Sequence, residues 1–192
     1  MRKETGKNLP CRNPSEKIFF EAEKLASWRE SLRKKGLKLV LTNGCFDILH
    51  RGHTQYLYGA RSAGDALLVL LNSDSSVRSL KGDGRPVNQE KDRAYVLASL
   101  ECVDAVYIFS SPRCDREIAL FKPDFYAKGA DYTVEKMDPG ELAALRACGA
   151  QIAFIELVPG LSTTGIIKKS GNLFLGKNEK QEHPAKTAGK SK

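Results

Sequence analysis

The sequence predicts an α/β protein, a doubly wound parallel sheet of about five strands with helices on both faces. Three observations carry this. Short apolar runs of strand length alternate with helical patterns from residue 15 to residue 170. One of those runs, Ala66–Leu71, is apolar at every position, as a strand covered on both faces requires. The polar clusters of interest each fall just after a strand, where such sheets bind ligands at the crevice where strand order reverses.

In chain order, residues 1–14 lack periodicity and hold two prolines, which predicts a flexible start. A helix is expected over Ser15–Lys35, because Ile18, Phe19, Ala22, Leu25, Ala26, Trp28 and Leu32 recur at helical spacing until Gly36. Leu37–Thr42 is a short apolar strand, and His53–Ala63 a helix closed by Gly64. After Ala66–Leu71 come a helix at Glu90–Leu100, a strand at Ala105–Phe109 and a short helix at Asp115–Phe121. Phe125–Lys128 is a strand, Glu141–Cys148 a helix, Gln151–Val158 a strand, and Thr163–Lys169 the start of a last helix. The stretch 171–192, rich in Lys, Gly and Asn, is expected to be a disordered basic tail. One Rossmann-like domain over 15–170 is therefore expected, with no internal repeat.

At 192 residues the chain can bury one proper core. No apolar run approaches the ~20 residues of a membrane span, and the basic, polar start shows no signal peptide. The cysteines (Cys11, Cys45, Cys102, Cys114, Cys148) are odd in number and form no close-spaced pair. That spacing fits neither zinc nor a disulfide framework, so a reducing cytoplasm is the expected setting. The net charge of +8 invites a nucleic-acid reading. Residues 1–14 carry four Lys/Arg and one Glu, and 171–192 five Lys and two Glu, which leaves only +2 for residues 15–170. The basicity lies in the ends, so nucleic acid is not the expected partner.

The first chemical signal is Thr42–His53. A strand runs into Asn43-Gly44-Cys45-Phe46-Asp47, and His50-Arg51-Gly52-His53 stands at the mouth of a helix. Gly44 lets backbone N–H groups approach a phosphate, and a helix N-terminus favours anions. Ring N–H groups of His50 and His53 suit charge that grows on phosphate oxygens. Lys81 and Arg85 flank two glycines, a cationic pair on a loop able to close over a triphosphate; the same residues are also good turn chemistry. Ser162, Thr163 and Thr164 follow Pro159-Gly160 and can both cap a helix and donate to phosphate. Lys128, Gly129 and Asp131 lie at a strand end. Cys45 has no base beside it in sequence and is read as a small buried residue, not a nucleophile.

The frame TNGCFDILHRGH resembles the cytidylyltransferase-like superfamily of nucleotidyltransferases, whose fold is a doubly wound α/β sheet and whose paired histidines contact a triphosphate. Asn72-Ser73-Asp74, Lys81–Asn88, Lys128–Tyr132 and Ser162–Lys169 resemble that family's later signatures, in order, from about Leu37 to Lys169. Within the superfamily the set resembles the adenylyltransferases that join ATP to a heptose 1-phosphate for surface glycans and the lipopolysaccharide core. The resemblance implies that His50, His53 and Lys81 are catalytic and that Asn43, Gly44, Cys45, Phe46, Gly52, Lys128, Gly129, Asp131 and Ser162–Thr164 bind nucleotide. It places Asp47, Asn72, Asp74, Arg85 and Arg93 on the acceptor side. It implies Mg2+ carried mainly by the ATP phosphates, with no protein ligand assigned.

The expected partners are thus ATP and a phosphorylated small molecule. The helix over Ser15–Lys35 is a candidate homodimer contact. A sugar kinase precedes this domain in fused relatives, and with 36 residues before the first strand that step is expected on a separate protein. A cytidylyltransferase acting on glycerol 3-phosphate or a phosphorylated amino alcohol, a flavin adenylyltransferase, and an inactive nucleotide-binding scaffold stay open at this point.

Overall fold

In the computed structural model the chain is described over residues 13–178. A six-stranded, all-parallel sheet is built from β1 (Ile18–Phe19), β2 (Leu39–Gly44), β3 (Ala66–Asn72), β4 (Ala105–Phe109), β5 (Phe125–Gly129) and β6 (Gln151–Ile155), in the order β1-β4-β3-β2-β5-β6. The helices are α1 (Ala22–Lys34), α2 (Arg51–Arg61), α3 (Asp74–Lys81), α4 (Glu90–Ala98), α5 (Asp115–Phe121), α6 (Pro139–Cys148) and α7 (Thr163–Asn178). Strand order reverses between β2 and β5, so the crevice beyond their carboxyl ends is the place where such a sheet binds ligands.

Two apolar layers sandwich the sheet, and the period-two alternation of its strands divides the side chains between them. Leu39, Leu41, Leu68 and Leu70 face α1, α5 and α6 through Leu25, Ile118, Phe121 and Leu145. Val40, Leu67, Val69 and Leu71 face α2 and α4 through Leu57, Ala60, Ala94 and Leu97. The amino ends of the strands are tied by buried polar groups. Arg29 of α1 donates to the Phe121 and Lys122 carbonyls that end α5, and pairs with Asp124 at 2.9 Å. Asp124 in turn accepts from the Leu39 N–H.

Four sequence expectations change. Ser15–Lys35 is not one helix, because a 3-10 turn at Pro14–Lys17 leads into β1 before α1 begins. Ile18 and Phe19 fit a helical stripe, but they bury themselves better as an edge strand pairing with Val106 and Tyr107. This gives the sixth strand. α3 went unseen because its Ser-rich sequence carries only Val77 and Leu80 as apolar signal; Ser73 starts it by accepting from the Ser76 N–H. β6 stops at Ile155, short of Val158. α7 runs on to Asn178, past the boundary expected at residue 170.

The flexible start expected at 1–14 lies outside the described residues up to residue 12, and Asn13 already caps the first turn. The tail from 179 onward, with its basic charge, also lies outside them, as does Cys11. Cys45, Cys102, Cys114 and Cys148 are free thiols. Among the described residues no helix is long and apolar enough to cross a membrane.

Candidate active site

A cleft of about 690 Å³ opens beyond the carboxyl ends of β2 and β5, bordered by the amino ends of α2 and α7. It gathers Asn43, Gly44, Cys45, Phe46, Asp47, His50, Gly52, His53, Lys81, Arg85, Lys128, Gly129, Asp131, Ser162, Thr163 and Thr164 from distant parts of the sequence. Asn72, Asp74 and Arg93 do not line it.

The histidines are fixed by the way α2 starts. His50 is the N-cap, and its Nδ1 accepts from the Gly52 N–H at 3.1 Å. With Nδ1 accepting, the proton of the neutral ring sits on Nε2, a buried atom that has no partner. His53 stacks on His50 with ring centroids 3.9 Å apart, and its Nδ1 is likewise buried and unpartnered. Burial, and then the neighbouring His50, pull the His53 pKa down to about 4, so the ring is neutral at pH 7. Two imidazoles thus bring hydrogen-bonding capacity that the protein itself leaves unused. Below them Tyr56 of α2 reaches the Thr42 hydroxyl at 2.7 Å and donates to the Ala127 carbonyl, locking the helix to β2 and β5.

Phe46 shapes the turn. It sits at φ 42°, a left-handed conformation rare for an aromatic residue, and packs edge-on against His53 at 5.4 Å. A Cβ on Gly44 would lie 2.8 Å from that ring. Gly44 is therefore required by the Phe46 ring at least as much as by any phosphate above it. Gly52 is constrained similarly, since a Cβ there would come within 3.0 Å of the His50 ring.

Asp47 turns out to be a fastener. Its carboxylate, with no exposed side-chain surface, takes the Arg85 guanidinium at 2.6 Å and the N–H groups of Val87 and Asn88 at 2.8 and 2.9 Å. Burial works to raise its pKa, but the Asn88 and Val87 N–H groups and Arg85 outweigh that and hold it below the usual carboxylate range. Asp47 and Arg85, expected on the acceptor side, both line the cleft, where the Asp47 carboxylate holds Arg85 through Nε. Their pairing anchors the stretch after α3, at whose end Lys81 stands exposed over the cleft with no ion pair among the described residues.

Arg93, expected on the acceptor side, lies behind the cleft instead. Its side chain is fully buried, and it donates to the Cys45 and Asn88 carbonyls and pairs with Asp74 at 2.7 Å. Asn72 is buried too and donates to the Ser76 hydroxyl. These three brace the loops behind the cleft. The Cys45 thiol is half-buried, and burial raises its pKa against the pull of Lys81 and Arg93, so it stays a thiol.

Lys128, at the end of β5, donates to Asn43 Oδ1 at 2.9 Å and lies over the rings of Tyr126 and Tyr132. Beneath it lies a network that sequence reading missed, made of Tyr126, Cys114 and the buried Glu141. Only the Asp-Pro-Gly-Glu pattern before α6 hinted at it, and that pattern reads as a helix cap. Leu157, Val158 and Leu161, between β6 and α7, add an apolar wall, as do Leu80 and Tyr132. A Cβ on Gly129 would lie 2.5 Å from Asp131 Oδ1. Ser162 caps α7 through the Gly165 N–H at 3.1 Å, and the Thr163 hydroxyl reaches the Ile48 carbonyl at 3.4 Å. The amino ends of α2 and α7 therefore converge on one space, with Lys81 and Lys128 beside them, an arrangement that attracts a polyanion. Among the described residues no three His, Cys, Asp or Glu side chains cluster as a metal site, and the Asp47 oxygens are engaged.

Residues 41–169 match the family model described as cytidylyltransferase-like. The chain is 43% identical to the bifunctional protein HldE of Nitratiruptor sp. over 81% of its length, and 48% identical to HldE of Helicobacter pylori over 73%. Those alignments cover 32% and 29% of the relatives, so the chain spans about a third of the length of the curated relatives it matches. A solved lipopolysaccharide core biosynthesis protein from Thermoplasma volcanium shares 29% identity at a TM-score of 0.53, over 64% of this chain and 98% of that one. A pantoate-beta-alanine ligase from Francisella tularensis shares the fold at a TM-score of 0.51 and 15% identity, over 87% of this chain and 81% of its own.

Proposed function

Because the chain belongs to the cytidylyltransferase-like family of nucleotidyltransferases, we propose that it transfers AMP from ATP to a heptose 1-phosphate with release of pyrophosphate. The product is an ADP-heptose for surface glycan or lipopolysaccharide core synthesis. The observation that carries transfer chemistry is the histidine pair, whose buried Nε2 of His50 and Nδ1 of His53 lack partners where two helix amino ends converge. The choice of ATP and heptose phosphate rests on the motif set and on the similarity to HldE proteins.

In this reading a phosphate oxygen of the sugar attacks the α-phosphorus of ATP in line. The bond from that phosphorus to the bridging oxygen breaks, and pyrophosphate leaves with the electron pair. No covalent enzyme intermediate forms, so the protein contributes positioning and charge stabilisation. His50 and His53 donate to α- and β-phosphate oxygens, Lys81 meets the growing negative charge, and the Ser162–Thr164 helix start holds the outer phosphates. Asn43 and Lys128 form the floor, and Gly129 with Asp131 borders the nucleoside. Mg2+ carried on the triphosphate supplies charge neutralisation when bound. The acceptor enters on the side of Lys81, with Arg85 and Asp47 shaping that wall. The cytoplasm, where ATP is made available, is the proposed setting.

The test is pyrophosphate release from ATP or CTP against heptose 1-phosphate, glycerol 3-phosphate, a phosphorylated amino alcohol and flavin mononucleotide. Release is expected with ATP and the heptose phosphate. Release with CTP and glycerol 3-phosphate instead would move the chain to the cytidylyltransferases, and none with any pair would end the enzyme reading.

A further inference from the structure

We infer that Glu141 is a positioning residue for the transfer, acting through Lys128: its buried carboxylate holds the Lys128 ammonium at the cleft floor, where the triphosphate lies. This rests on the nucleotidyl-transfer reading above.

Glu141 departs from the usual pattern at a helix start. Asp138 caps α6, accepting from the N–H groups of Gly140 and Glu141 at 2.8 and 3.3 Å. An acidic residue three places after an N-cap usually turns back to the cap's own N–H. Glu141 instead points away from the helix end and is only 6% exposed. One oxygen accepts from the Cys114 thiol at 3.2 Å, and the other from the Tyr126 hydroxyl at 3.1 Å. Burial pushes the Tyr126 pKa up, and burial together with Glu141 does the same to Cys114, so both groups remain protonated and serve as donors.

A carboxylate withdrawn from water in this way needs a charge partner. Lys128 Nζ is that partner, 3.6 Å from Glu141 Oε2. The separation is that of a charge contact, longer than a good hydrogen bond. The ammonium therefore spends one donor on Asn43 Oδ1 at 2.9 Å and keeps others for an anion above it. A lysine is otherwise a mobile cation with considerable rotamer freedom to lose. Asn43 alone fixes one contact. Glu141 fixes the side from which the charge is held, and Tyr126, whose hydroxyl touches both Asn43 at 3.0 Å and Glu141, closes the ring of contacts. The arrangement spans β2, β5, the start of α5 and the start of α6, so it makes the position of one cleft cation depend on the packing of the opposite sheet face.

The experiment uses the full chain and measures ATP affinity by calorimetry with Mg2+ present, alongside KM and kcat for pyrophosphate release. Glu141→Gln keeps shape and removes charge. It is expected to weaken ATP binding and raise KM about tenfold while changing kcat much less. Lys128→Met should weaken binding at least as much, and adding Glu141→Gln to it should produce no further loss. Glu141→Asp, which keeps the charge one methylene back, should fall between wild type and Glu141→Gln, and it carries the test if Glu141→Gln does not fold. Equal losses from Glu141→Gln in the presence and absence of Lys128 would overturn the inference, as would unchanged ATP affinity in folded Glu141→Gln. A wild-type chain that binds neither ATP nor CTP would instead overturn the transfer reading on which this one stands.

Discussion

Replacing Asp47 with Asn separates a fastener from a ligand at the centre of the cleft. The wild-type carboxylate has no exposed side-chain surface and receives Arg85 at 2.6 Å, Val87 N–H at 2.8 Å and Asn88 N–H at 2.9 Å. Hydrogen bonds to a charged group contribute about 1.5–3 kcal/mol each, and stranding a buried charge costs about 3–5 kcal/mol. Asn keeps one acceptor oxygen but turns an NH2 group toward donors. Arg85 is 17% exposed and regains some water, so the expected loss is discounted to about 2–4 kcal/mol. Urea unfolding at pH 7 reads this directly, and trypsin cleavage after Lys81 reads release of the loop. The pH dependence has a definite sign. Asp47 is held below the usual carboxylate range, so its contribution is present above that range and disappears as pH falls through the lowered folded value. Asp47→Asn should therefore lose the most stability near neutrality and converge on wild type in acid. A change below about 0.5 kcal/mol with unaltered cleavage would refute the fastener and return the carboxylate to substrate contact.

The remaining predictions test the other assignments. His53→Ala should cut turnover by a factor on the order of 10² or more with the fold intact; unchanged turnover would leave His53 as packing alone. The fall of the His53 pKa from 6.5 to about 4 also predicts a pH effect on stability. Between those values the unfolded chain binds the proton and the folded one does not, so wild type should lose stability as pH falls from 7 to 4, by about 1–2 kcal/mol once solvent screening of this partly exposed ring is discounted. His53→Gln should lose correspondingly less over the same range in denaturant titrations. Arg93→Ala should destabilise the fold by about 3–5 kcal/mol, because it strands Asp74 and two carbonyls; a change in acceptor KM without loss of stability would contradict the brace. Gly129→Ala places a Cβ 2.5 Å from Asp131 Oδ1 and 2.9 Å from Leu157. Relief of about 1–3 kcal/mol of overpacking pushes both side chains into the cleft, so ATP affinity should drop while the unfolding midpoint barely moves.

The site illustrates what one-dimensional patterns carry and what they omit. Periodicity located five of the six strands, because each is continuous in sequence and buries its own side chains. β1 escaped because two residues cannot display a period of two, and its pairing with β4 is a tertiary fact. Among charged residues the same limit is sharper. Lys81, Arg85, Asp47 and Arg93 look alike in sequence, charged groups close to the predicted ligand-binding segments. The fold separates them by what lies opposite each. Asp47 and Arg85 face each other across the turn, and Arg93 faces two carbonyls and Asp74. Lys81 faces the cleft with no ion pair among the described residues. The placement of the histidines was legible because it follows from neighbours close in sequence: His50 caps the helix on which His53 sits one turn later. A residue whose function depends on local geometry can be read from its segment. A charge whose function depends on a partner 38 or 48 positions away, as for Arg85 with Asp47 or Arg93 with Cys45, cannot. For that reason the variants that matter most here pair residues distant in sequence, and the coupling between Glu141 and Lys128 is the measurement in which a contact invisible to sequence either changes nucleotide binding or does not.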